Sequence, residues 1–96
     1  MSTRSLCQAI ATRAMVSFTH RGERYSVEPY SVGYEERDEC GRPLLLRAWH
    51  EVGWRDFEVK FMSQIEIDSQ HFTGGRQGYE EMTTVLCDVY GTTWPG

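Results

Sequence analysis

Long apolar runs are missing from this chain. No stretch approaches the roughly 20 consecutive apolar residues that cross a bilayer as a helix, and the N-terminus, Met1-Ser2-Thr3-Arg4-Ser5-Leu6-Cys7, holds no apolar leader core. A membrane partner is therefore not expected, and a cytoplasmic setting is. Cysteine is sparse as well. Cys7, Cys40 and Cys87 lie far apart, with no second Cys or His at zinc-ligand spacing, which argues against a disulfide framework and a structural metal site. They read as free thiols, Cys7 buried on an apolar helix face and Cys40 exposed in a polar loop; a pairing stays open, with the odd count weighing against it. An overall basic excess is lacking too. The net charge of -4 and pI near 5.3 disfavour nonspecific coating of DNA. Lysine itself is nearly absent: of the 10 basic residues only Lys60 is lysine. Arginine offers a planar donor fork suited to phosphate, carboxylate or base edges, so a local arginine-lined site can coexist with an acidic exterior.

What is present suits one small domain. The 96 residues are 40% hydrophobic, 25% charged and 12% aromatic, a globular composition with room for a single core. From Ser5 to Ala14, Leu6, Ile10 and Ala14 recur with Cys7 and Ala11 at helical spacing, predicting a short amphipathic helix. The period then changes to two. Val16, Phe18 and His20 alternate with Ser17 and Thr19, Arg21-Gly22 supplies a tight turn, and Tyr25 and Val27 resume the alternation. Pro29 predicts an edge, a bulge or a strand end, after which Tyr30, Val32 and Tyr34 alternate again. The charged segment from Glu35 to Arg42 predicts an exposed loop. Leu44 to Val52 predicts a strand, Gly53 breaks it, and Arg55 to Met62 follows as its antiparallel partner. Ile65-Glu66-Ile67 predicts one more short strand, and Thr73 to Tyr79 a glycine-rich loop without the Lys-Ser/Thr of a nucleotide-binding loop. Between Glu80 and Tyr90, helix and strand compete. The tail from Gly91 is expected to be irregular, with Trp94 free to dock on the domain or on a partner chain.

The succession of a helix, a hairpin with Arg24 and Pro29-Tyr30, a long apolar strand and Phe57-x-Val59-x-x-Met62, closed by Phe72-x-x-x-Arg76-x-Gly78-Tyr79, resembles a WYL domain. The likeness spans about residues 5–79, leaving 80–96 as a C-terminal extension. It implies a mainly β fold with an N-terminal helix followed by a small SH3-like or Sm-like antiparallel barrel, and a module that senses a ligand, often nucleic acid or a nucleotide, or mediates assembly. Arg24 and Arg55 match basic positions of the family pattern. The name-giving triplet is represented only by Leu44-Leu45-Leu46, and the family's Asp-Arg pair is replaced by Lys60-Phe61.

Arg24, Arg47, Arg55 and Lys60, interleaved with Tyr25, Trp49 and Phe57, are the candidate ligand-binding residues. Aromatic faces stack bases while Arg engages phosphates. The competing assignment puts Trp49 and Phe57 in the core and pairs the cations with Asp56 and Glu58. His20, His50 and His71 form no metal-ligating or catalytic motif, and no paired carboxylate or activated nucleophile is seen. No enzyme, cofactor or metal is therefore expected. The leading expectation is a regulatory or accessory module that binds single-stranded nucleic acid, a nucleotide or another small anionic ligand. Its rival is a protein-interaction module, such as a small acidic inhibitor of a host defence complex encoded by a mobile element, docking through Glu35 to Glu39. A homodimer is compatible with either.

Overall fold

Leu6, Cys7, Ala9 and Ile10 bury one face of helix α1 (Thr3–Thr12), as the helical spacing of apolar residues requires. The computed structural model describes residues 3–35, 43–51 and 53–91. The helix stops at Thr12, two residues short of the expected end, because Arg13 turns to positive φ (57°) and closes it as a left-handed cap.

Strand β1 (Ala14–His20) buries Ala14, Val16 and Phe18 on one face. It turns through Arg21-Gly22, both at positive φ (51° and 85°), into β2 (Glu23–Tyr34), the two-residue hairpin whose twist matches that of its strands. Pro29 does not end β2. The ladder with β3 (Leu45–His50) instead shifts register between Pro29 and Ser31, a bulge that accommodates the missing N–H. β3 pairs with β4 (Gly53–Glu58) from Leu45↔Glu58 to His50↔Gly53. The partner strand expected to run to Met62 is cut short by a 3-10 turn over Val59–Phe61. Beyond it β5 (Met62–His71) is longer than the Ile65 to Ile67 segment suggested, and β6 (Thr84–Asp88) resolves the helix–strand competition as strand.

All ladders are antiparallel, and the strand order is β4-β3-β2-β1-β5 with β6 also on β2. The twelve-residue β2 is the hub: Glu23 to Val27 pairs with β1, while Glu28 to Tyr34 serves β3 and β6. The fold is thus mainly β with an N-terminal helix. Among the described residues no ladder joins β4 to β5, so the hydrogen-bonded path has two ends. Phe18 and Phe57, both buried, meet edge to face at 4.9 Å. Tyr30 is fully buried against Trp54 and Phe72 at 4.7 and 5.3 Å, and its hydroxyl accepts the Arg76 N–H at 3.2 Å.

Cys7 and Cys87 form a disulfide with Cα atoms 5.8 Å apart, which corrects the free-thiol expectation for that pair. Their separation of 80 residues leaves no local spacing to betray it; the two meet because α1 packs on β2 and β6. The segment expected as an extension is likewise part of the core, with Met82, Cys87 and Val89 buried. Cys40, Trp94 and the segment 36–42 of the charged loop lie outside the described residues. Where β6 meets β2, a Cβ added to Gly33 would overlap the Thr84 carbonyl oxygen. Gly33→Ala is therefore expected to cost about 1–3 kcal/mol through overpacking, read as a lower urea midpoint at unchanged m-value. An unchanged midpoint would mean that β6 is not seated there.

Candidate anion-binding patch

Alternation along the β3–β4 hairpin divides the expected arginine-aromatic surface in two. Cross-strand partners share a face, so Arg47↔Asp56 and Trp49↔Trp54 lie on one side while Ala48↔Arg55 and Leu46↔Phe57 lie on the other. On the first side Arg47 grips Asp56 with two hydrogen bonds of 2.8 Å, donates to the Glu80 carbonyl and stands 3.7 Å from Glu35. Its side chain is only 12% exposed, and the bonds to Asp56 raise its pKa further. A cation so fully engaged is a structural clamp. Trp49 donates to the Glu51 carbonyl, packs edge-on to Trp54 at 5.4 Å and lies 4.9 Å under the Arg76 guanidinium, itself bidentate on Glu28. Arg24 lies elsewhere again. It reaches across β1 to β5, donating to Thr19, the Gln64 carbonyl and Glu66. Arg24, Arg47 and Trp49 therefore do not join the other expected residues.

Tyr25 and Arg55 do meet, and Lys60 is linked to them through Phe61, whose ring packs on His20 as that of Tyr25 does. The hairpin register places Phe18 opposite Tyr25, and the β1–β5 register places His20 opposite Met62. The Arg21 turn is thereby set beside Phe61, which follows Lys60 in the 3-10 turn. Arg21 caps the Phe61 ring at 4.0 Å, with the Lys60 ammonium 5.1 Å from the same centroid. Arg55, exposed on β4, lies 5.1 Å from the Tyr25 ring and 5.4 Å from that of Phe57. The His20 ring meets Phe57 at 5.3 Å, and His50 meets Tyr25 at 5.2 Å.

Charge balance distinguishes this region. Glu58 is the carboxylate shared by Arg21 at 3.7 Å and Lys60 at 3.9 Å, while no carboxylate partner of Arg55 is found among the described residues. Arg21 and Lys60 are 60% and 66% exposed. Exposed ion pairs and cation–π contacts are each worth only about 0.5–1 kcal/mol, so an incoming anion can recruit these cations at small cost. Near them His20 keeps its Nε2 buried and without a hydrogen-bond partner. Burial first, then the Arg21 and Arg55 charges, lower its pKa, and Glu58 opposes them.

Other features offer less. A pocket of about 170 Å³ between Arg47, Trp54, Arg55, Asp56, Gly78 and Glu80 is below the roughly 300 Å³ at which ligand pockets usually start. Among the described residues no group of His, Cys, Asp or Glu converges to hold a metal, and no helix is long and apolar enough to cross a membrane. Arg21 and Phe61 were missed because they are 40 positions apart and meet only through the sheet register. The one local signal was the unusual Lys60-Phe61 pair. No protein-family model, curated protein or solved structure matches the chain.

Proposed function

We propose that the chain is a non-enzymatic regulatory or accessory module that binds nucleic acid or a small anionic ligand through Arg21, Arg55 and Lys60. One observation carries this: Arg21 and Lys60 share a single carboxylate, Glu58, and Arg55 is ion-paired to none among the described residues, in a chain of net charge -4, whereas Arg24, Arg47 and Arg76 are each held by a carboxylate of their own. The WYL resemblance points in the same direction. Tyr25 and Phe57 act beneath the cations, holding Arg55 up from the surface, rather than as open stacking platforms. Affinity of this kind comes from phosphate contacts and the counterions they release.

The cytoplasmic setting belongs to the same proposal and has a consequence for Cys7 and Cys87. Disulfides rarely persist in a reducing compartment, where the pair would be two buried thiols. A second copy of the chain could pair along β4 or β5, each flanked by one strand within the sheet path.

Fluorescence anisotropy of labelled single-stranded DNA and RNA tests the proposal. Saturable binding is expected, weakening about 5–10-fold on Arg55→Ala as one charge-assisted contact is lost, with little change in thermal stability because Arg55 is exposed. Absence of binding at high micromolar protein would reject the proposal in favour of the protein-interaction alternative. Equal affinity of wild type and Arg55→Ala would place the contact elsewhere.

A further inference from the structure

We infer that His20 is a proton-linked member of this patch, so that an anion held by Arg21 and Arg55 binds together with a proton on the His20 imidazole. The inference rests on the anion-binding proposal and adds to it a residue and a pH dependence.

The imidazole is half-buried, with its Nε2 covered, and groups from several elements flank it. Arg21 faces it from the β1–β2 turn, Arg55, Phe57 and Glu58 from β4, Tyr25 from β2 and Phe61 from the 3-10 turn. Met62 is its ladder partner on β5 and the exposed carboxylate Glu23 its ladder partner on β2, Lys60 reaches the region through Glu58, and His50 of β3 lies on the far side of Tyr25. The rings of Tyr25, Phe57 and Phe61 all meet His20 edge to face, at 6.4, 5.3 and 6.2 Å. They exclude water from Nε2 without offering it a hydrogen-bonding atom.

Protonation of this ring in the free protein meets three obstacles and one aid. Desolvation and the charges of Arg21 and Arg55 oppose it, while Glu58 favours it. That carboxylate is already divided between Arg21 and Lys60. An anion drawn to Arg21 and Arg55 reverses the balance, because it offsets the two guanidinium charges that repel the imidazolium. No direct contact with Nε2 is needed, since charge acts across the thin aromatic wall. Coupling between two bound species is reciprocal: if the anion favours the proton, the proton favours the anion. The ligand is therefore held more tightly as pH falls toward and below the ordinary histidine value.

The free protein carries the opposite signature. Because the folded pKa of His20 lies below the ordinary histidine value of 6.5, the unfolded chain holds this proton more tightly. The His20 contribution to stability is whole above pH 6.5 and is lost as pH falls through the lowered folded value. Bound anion should remove that loss.

Anisotropy of a labelled oligothymidylate at constant ionic strength tests the linkage with wild type, His20→Gln and His50→Gln. Between about pH 7.5 and 5.5, wild-type affinity is expected to rise about fivefold or more, one linked proton allowing at most about tenfold per pH unit. His20→Gln should change by less than about twofold over the same range, and His50→Gln should keep the wild-type slope. A wild-type slope in His20→Gln, or saturable wild-type binding that ignores pH, overturns the linkage and leaves the anion-binding proposal standing. No binding at any pH removes both. Should His20→Gln fail to fold, the imidazole C–H resonance of His20 in the wild type gives the answer: its titration midpoint should rise on adding the oligothymidylate, and an unmoved midpoint overturns the inference.

Discussion

Removing the Cys7–Cys87 bridge by Cys7→Ala/Cys87→Ala is expected to lower Tm by about 10–20 °C. The bridge closes a loop of 80 residues, which restricts nearly the whole unfolded chain. The chain-entropy estimate for such a loop is about 4.5 kcal/mol and the usual experimental range about 2–4 kcal/mol, while a domain of this size loses about 4–8 °C per kcal/mol. Alanine is the right replacement because both residues are buried, at 7% and 5% exposure, and a serine hydroxyl would add its own desolvation cost. The bridge also locks α1 to β6: α1 packs on β2 and β6, and among the described residues β6 is held in the sheet by its ladder with β2. Its loss should be felt first as protease sensitivity and faster amide exchange in α1 and β6. Differential scanning fluorimetry with and without a strong reductant reads the same quantity in the wild type. If the reductant leaves Tm unmoved while alkylation shows two new thiols, the bridge does not hold the fold together. If no thiols are gained under denaturing reduction beyond those already present, the pair is not bridged in solution.

How much of this was legible in the sequence follows from the range over which each feature is encoded. The α1 stripe and the β1–β2 hairpin were legible because they are written within a few residues. Leu6, Cys7 and Ile10 share a helical face, and Arg21-Gly22 takes the positive φ angles that a two-residue turn demands. Pro29 signalled a bulge, an edge or an end, and the bulge was selected by β2 continuing to Tyr34 as the strand that β3 and β6 share. The break at Val59–Phe61 was hidden, since Phe57, Val59 and Phe61 alternate as a strand would. β6 won over helix because its strand form buries Cys87 against α1 and lays backbone on Gly33, neither of which lies within its own segment. The candidate site divided for the same reason. Tyr25 and Arg55 meet and Lys60 is linked to them through Phe61, but parity along β3 and β4 sends Arg47 and Trp49 to the opposite face, and that parity shows only when the hairpin register is known. The disulfide depends on α1 packing against β6, and the meeting of Arg21 with Phe61 on pairing across the sheet; local spacing expresses neither.

Reversing charge in the patch with Arg21→Glu/Arg55→Glu is expected to weaken oligonucleotide binding by about 100-fold or more at low salt, since two attractive contacts become repulsive. The informative comparison is Arg24→Glu/Arg76→Glu. Each Arg→Glu change removes two units of charge, so both double variants move the net charge from -4 to -8. General electrostatic attraction to the whole chain would weaken equally in the two. Arg24 and Arg76, however, are already bound to Glu66 and Glu28, and losing exposed pairs of this kind costs stability only slightly. The patch variant should also lose salt sensitivity, with the slope of log affinity against log salt falling by about 1.4 for two phosphate contacts on a single strand. The comparison variant should keep the wild-type slope. Equal losses from the two would mean that the chain responds to total charge and has no built anion site. A selective loss, with the slope change, would assign binding to the cations gathered by the β1–β2 turn, β4 and the 3-10 turn, the arrangement that brings Arg21 within 4.0 Å of the Phe61 ring and leaves Arg55 without a carboxylate among the described residues.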